Sequence, residues 1–269
     1  MKNQYLTLVD AHVHIHSNFK IEHFINSAFN NFNKNADLIS PSCEFNGILC
    51  LTESQGLNYF RSLYSNLNFL EKYKLSQTNE ENSFSCSNID HKKIFFISGK
   101  QIVTTEKLEV LALGFNEDFK DGRPIEEVID YVFSKNALPV LPWGVGKWNG
   151  KRGKKVNYLI NNKSNIFFLG DNGNRPFFWK KPEIFNNAEK KGIINLPGSD
   201  PLPFISEEKR PGSFGFYFNE KVNEQTPFDD LKDKIINSKS SFSTFGKSES
   251  ALRFFKNQIF MQIEKNKKN

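Results

Sequence analysis

No stretch of this 269-residue chain stays apolar long enough to span a bilayer, so no membrane segment is expected. Cysteine is scarce. Cys43, Cys50 and Cys86 are scattered without a C-x-x-C pair, which argues against a disulfide framework or a zinc ribbon and fits a reducing compartment. The apolar run after Lys2 ends at Asp10 and the histidines, too soon for a secretory signal, and a cytoplasmic protein is expected. The glycine-rich run 143–155 lacks the Gly-Lys-Ser/Thr ending of a nucleotide-binding Walker loop. Histidine is rare as well, five in all, and three of the five fall within five residues, as His12, His14 and His16.

Phenylalanine is abundant, with 28 residues, and the formal net charge is +6. Lys, Asn, Phe and Ile have A/T-rich codons, so base composition is one source of this bias. A basic surface that attracts anions is the other. The charge is spread along the chain, which points to a small anionic substrate rather than to nucleic acid; oligomeric state is not readable. The length suits one large domain.

Strand patterns fall at 5–10, 47–52, 94–98, 109–115, 138–142, 166–170 and 193–197, and helical patterns at 21–32, 57–73, 125–134, 182–190 and 228–237. Strands alternating with helices predict βαβ units. Seven strands in one series predict an α/β fold of the distorted (β/α)7, TIM-like barrel type, a single domain over 1–238. A Ser-rich linker and a basic helix, packed on the barrel or trailing it, follow over 239–269. The polar stretch 76–92 reads as a surface insertion, and 147–157 and 206–212 read as long loops.

Side chains two apart on a strand share a face, so His12 and His14 can enter one pocket and bind one metal ion. The other polar groups also collect where predicted strands end, the end that carries the site in α/β barrels. Glu53 and Ser54 follow the second strand, Lys100 and Gln101 the third, and Trp143 the fifth. Asp171, Asn172 and Asn174 follow the sixth, and Asp200 follows the seventh.

The string Val9-Asp10-Ala11-His12-Val13-His14 resembles the opening motif of the polymerase-and-histidinol-phosphatase superfamily, and the likeness extends over about residues 5–202. The resemblance implies a distorted seven-stranded barrel that hydrolyses phosphoesters with two or three metal ions. Gly198-Ser199-Asp200 matches that family's closing motif. Ser54, Gln101, Trp143 and Leu202 stand where the family has ligands, and Glu109 stands where it has a histidine. The retained set, His12, His14 and Asp200 with Glu109 in support, implies one divalent ion, Zn, Mn or Fe. A second family, the metal-dependent amidohydrolases, opens with a similar motif but needs histidines after strands five and six that this chain lacks.

The resulting expectation is a metal-dependent, phosphoesterase-like hydrolase, with a catalytically degenerate barrel that binds an anion or a protein partner as the alternative. Glu53 and Asp171 are the candidate general bases. The run 143–155 combines four glycines, two tryptophans and five cations, and reads as an anion-binding lid. Lys100, Trp143, Lys147, Trp148, Arg152, Asn172, Asn174 and Arg175 are the candidate substrate contacts.

Overall fold

A computed structural model describes residues 5–66, 71–162, 166–239 and 241–268. The strand predicted first is β1 (Tyr5–Val13), which runs on to carry the first histidine of the motif. Helix α1 (Ile21–Ile39) buries Phe24, Ile25, Ala28, Phe29 and Phe32, the 3.6-residue stripe visible in the sequence. After it come β2 (Glu44–Leu51), α2 (Tyr59–Ser65), β3 (Lys74–Gln77), β4 (Ser83–Ser87), β5 (Lys93–Ile97), β6 (Gly99–Val103) and β7 (Glu109–Leu113). The second half holds α3 (Ile125–Ser134), β8 (Leu138–Pro142), α4 (Lys151–Asn162), β9 (Phe168–Gly170) and α5 (Glu183–Lys190). It ends with a 3-10 turn (Ile205–Lys209), β10 (Phe214–Phe218), α6 (Pro227–Ile236), β11 (Ser243–Gly246) and α7 (Ala251–Lys268).

The strands make two sheets, ordered β11-β10-β1-β2-β5-β4-β3 and β6-β7-β8-β9. Alternation along the strands sorts their side chains. Leu6, Leu8, Leu49 and Phe96 face α1, whereas Val9, Ala11, Ile48, Phe95 and Ile97 face inward. The inward set meets Leu111, Leu113, Leu138 and Val140 of the smaller sheet in a shared core. The smaller sheet's outer face, with Val110, Ala112 and Leu141, packs under α3, α4 and α5.

This architecture corrects the expected closed (β/α)7 barrel. The fold is α/β, but among the described residues the two sheets do not join into a barrel. Three local causes are visible. First, β6, β7 and β8 pair antiparallel, so no crossover helix carries β6 to β7. Second, the predicted seventh strand at 193–197 makes only an isolated bridge, Leu169↔Asn195, and forms no ladder. Third, the edge of β1 is taken by β10, antiparallel, which is extended by β11.

The supposed insertion at 76–92 contributes β4 and part of β3, a hairpin that pairs with β5. The supposed loop at 147–157 becomes helical from Lys151. The helix predicted over 57–73 is the short α2; residues 67–70 lie outside the described residues. Among the described residues no helix is long and apolar enough to cross a membrane.

Candidate metal centre

The site lies where β1 ends beside the segment 197–200. Pro197 accepts a hydrogen bond from Ala11 N–H (3.2 Å), and His12 accepts one from Asp200 N–H (2.8 Å). The approach is so close that a Cβ on Gly198 would lie 2.2 Å from the His12 nitrogen. Asp200 itself has φ +47°, a left-handed conformation that aspartate tolerates better than most residues.

The brace beneath this crossing is Asp10, which is fully buried. Its carboxylate accepts from Ser199 N–H (2.7 Å), Ser199 Oγ–H (2.6 Å), Gly212 N–H (2.8 Å) and His12 N–H (3.3 Å). Burial pushes its pKa up to about 7, and these four donors pull against that rise. From the other side, Arg210 donates to the Ser199 carbonyl through Nη2 (2.7 Å) and Nε (3.2 Å). Arg210 is in turn neutralised by Glu249 and by Glu207.

His12, His14 and Asp200 converge. His12 Nε2 and His14 Nε2 are 3.0 Å apart, and Asp200 Oδ1 is 3.5 Å and 3.6 Å from them. Ligands at about 2.0–2.1 Å in tetrahedral array stand roughly 3.3 Å apart, so this spacing fits a single ion. The donor types fit too: two imidazoles and one carboxylate, a group able to hold a metal. Burial pushes the His14 pKa down to about 3 and lowers that of His12, so both rings are neutral. Burial alone would raise the Asp200 pKa, but His12, His14, Lys147 and the Asn172 amide outweigh it and hold the carboxyl ionised. With both rings neutral, Lys147 and Asn172 are the partners that act at neutral pH. Two lone-pair donors and a carboxylate are the protonation states a metal requires.

The other sequence candidates divide into those inside the pocket and those outside it. Asn172 Nδ2 donates to Asp200 Oδ2 (2.8 Å), and Asn174 Nδ2 donates to the Asp200 carbonyl (3.1 Å) and to Oδ2 (3.2 Å). Both amides therefore hold the candidate ligand while lining the pocket. Glu109 also lines the pocket and accepts from Lys147 Nζ at 2.5 Å. Lys147 folds back over Gly144, where a Cβ would come within 2.7 Å of its Cδ. Its ion pair with Glu109 and the charge of the nearby Asp200 carboxylate outweigh burial, and its ammonium stays charged.

Seven of these other candidates lie outside the pocket lining. Glu53 accepts from Phe60 N–H (2.6 Å) and Lys100 Nζ (2.9 Å), and Lys100 also donates to the Leu57 carbonyl (2.8 Å). Asp171 is ion-paired with Arg175, whose guanidinium lies 5.9 Å from the Trp143 ring centre. Trp148 stacks on Phe185 at 5.9 Å, and Arg152 donates to the Gly146 carbonyl (2.9 Å).

The pocket has a volume of about 490 Å3, and His14, His16, Ser54, Gln101 and Asp200 lie among its polar groups. His16 Nε2 lies 2.9 Å from the Pro201 carbonyl. Sequence reasoning did not find the Arg210 brace, because 206–212 is a run of charged and turn-forming residues, as a solvated loop is. It also missed the pocket residues Gln258 and Met261 of α7, which no motif announces.

No protein-family model matches this chain, and no curated protein matches it. Solved structures do share its fold. The crystal structure of PsfC from Pseudomonas syringae PB-5123 superposes with a TM-score of 0.58 at 14% identity, over 96% of this chain and 98% of that one. The lesion-specific endonuclease PfuEndoQ from Pyrococcus furiosus is a weaker match, with a TM-score of 0.49 at 14% identity, over 86% of this chain and 56% of that one. An α/β architecture shared with PsfC along nearly the whole of both chains is what these likenesses establish.

Proposed function

We infer that this chain is a metal-dependent hydrolase of the phosphoesterase kind, acting on a small anionic substrate beside one divalent ion. The observation that carries the reading is the convergence of His12 Nε2, His14 Nε2 and Asp200 Oδ1 at metal-ligand spacing. A Zn, Mn or Fe ion held there would lower the pKa of a water and polarise a scissile ester. The protein's own groups do the rest. Asn172 and Asn174 fix Asp200, leaving Oδ1 for the ion. Lys147 supplies a positive charge that an incoming phosphate would share with Glu109.

Proton transfer needs a carboxylate that the substrate can reach. Glu53 and Asp171 are each held in an ion pair away from the pocket, so Glu109, which lines it, takes that role in this reading. The same two ion pairs favour a second reading, a protein of this α/β fold that binds an anion without turning it over.

Metal content and hydrolysis of p-nitrophenyl phosphate, measured on protein loaded with Zn, Mn or Fe, separate the two. Stoichiometric metal and turnover, both lost in His12→Ala and Asp200→Asn, support the hydrolase. Metal and phosphate binding without turnover supports the binding protein. Failure to retain any of the three metals removes the hydrolase, and phosphate binding that persists without them also supports the binding protein.

A further inference from the structure

The first turns of α7 dock on the two loops that hold Asp200. Glu249, just before the helix, donates its N–H to the Gly173 and Arg175 carbonyls (3.1 and 3.0 Å) and accepts from Phe177 N–H (2.9 Å). Its carboxylate pairs with Arg210, the residue that grips Ser199. Arg253 Nη2 donates to Glu207 at 2.9 Å, Asn257 is buried against the same carboxylate, and Phe254 meets Trp179 at 5.2 Å. One turn on, Phe260 packs on Phe204 at 5.4 Å. Positions 254, 257, 258 and 261 follow helical spacing and share one face. On that face the inner residues anchor the helix, and Gln258 and Met261 line the same pocket as His14 and Gln101.

We propose that α7 is the outer wall of the site, and that Gln258 and Met261 are specificity-determining residues contacting the organic part of the substrate. The inference rests on the reading of the pocket as a metal and anion site. The pocket's lining is of two kinds: His14, Gln101, Asn172, Asn174 and Asp200 supply polar groups, and Val145, Leu202, Pro203 and Met261 supply apolar ones. The substrate class this fits is a small organic phosphate whose apolar group lies along Met261 while the Gln258 amide hydrogen-bonds a polar substituent or the ester oxygen. A nucleic-acid strand would have to pass the helix.

The chain has only two methionines, Met1 and Met261, which gives a direct probe. Full-length protein carrying 13C-methyl methionine is loaded with cobalt(II) or zinc(II) and titrated with inorganic phosphate or phenyl phosphate. The resonance that disappears in Met261→Leu is expected to shift between the cobalt and zinc forms, and again with phenyl phosphate. Gln258→Ala, at an exposed position, is expected to weaken phenyl phosphate about fivefold, the loss of one hydrogen bond, with inorganic phosphate unchanged. Met261→Trp is expected to abolish phenyl phosphate binding and to spare inorganic phosphate. A Met261 methyl that ignores stoichiometrically bound cobalt, or wild-type affinities in both variants, overturns the proposal. If no cobalt binds, the metal reading fails, and a Met261 methyl that still follows phenyl phosphate upholds the wall.

Discussion

Asp200 has one carboxylate oxygen toward two imidazoles, the other toward two amides, and a backbone in the left-handed region. Each constraint narrows where Oδ1 can sit. Asp200→Asn and His12→Ala are expected to weaken zinc by more than about a hundredfold, and Asn172→Ala, which only loosens Asp200, by roughly tenfold. Competition against a chromogenic chelator reads all three.

Lys147→Met separates the metal from the anion. It leaves Glu109 without its ammonium, so zinc should bind at least as tightly while inorganic phosphate weakens about tenfold, the loss of one charge-assisted contact. Calorimetry on the two titrations measures the split. The His12 and Asp200 positions were legible because a metal site needs particular side chains at particular strand ends. Lys147 was legible only as a loop cation. Its direction depends on Gly144 leaving room for the side chain to fold back, and no composition rule reports that.

At the scale of the elements, β1 and the 197–200 segment approach each other closely. At Gly198 a Cβ would meet backbone atoms of His12, which cannot swing aside as a flexible side chain can. Gly198→Ala is therefore expected to displace the His12 end of β1 and to lose zinc together with stability. Urea unfolding and metal content measured on the same sample check the pairing. The Arg210 brace gives a second test. Arg210 is buried among Glu207, Glu249 and the Ser199 carbonyl, and Arg210→Met would leave two buried carboxylates short of a partner. The expected cost is about 3–5 kcal/mol in a urea titration. Where the sequence pattern was strong, as in α3, β5 and β8, elements and expectation coincide closely, whereas α1 runs seven residues past its predicted end. The β4 strand, Ser-Phe-Ser-Cys-Ser, is polar on alternate positions and looked like solvent-exposed chain, yet Phe84 and Cys86 are buried against the first core.

Across the whole molecule, the two sheets share one interior, and the candidate ligands come from segments far apart in the chain: His12 from the end of β1 and His14 just after it, Asp200 from the segment that follows α5. A ligand that binds only the assembled state stabilises it, by about 2.7 kcal/mol at a hundred times its dissociation constant. Zinc should therefore raise the melting temperature, and chelation should reverse the gain. His14→Ala should lose the response, and differential scanning calorimetry reads it. The strand count explains why a closed barrel was expected and is not found. Periodicity reports that a segment is a strand, but not its direction or its neighbour. The antiparallel turns at β6, β7 and β8 and the capture of β1 by β10 are long-range choices made in the packed core.

The crossing under Asp10 also has a consequence in time. The Asp10 carboxylate is near the start of the chain, and its partner Ser199 lies 189 residues later, with Gly212 further on still at 202. Contacts of such sequence separation form late and slowly, because the intervening loop must first be gathered. β1 thus leaves the ribosome well before the segment that satisfies its polar groups, and its histidines wait with it. A nascent chain holds two thirds of the metal donor set long before it can make the third. The site closes only when the 197–212 segment has arrived.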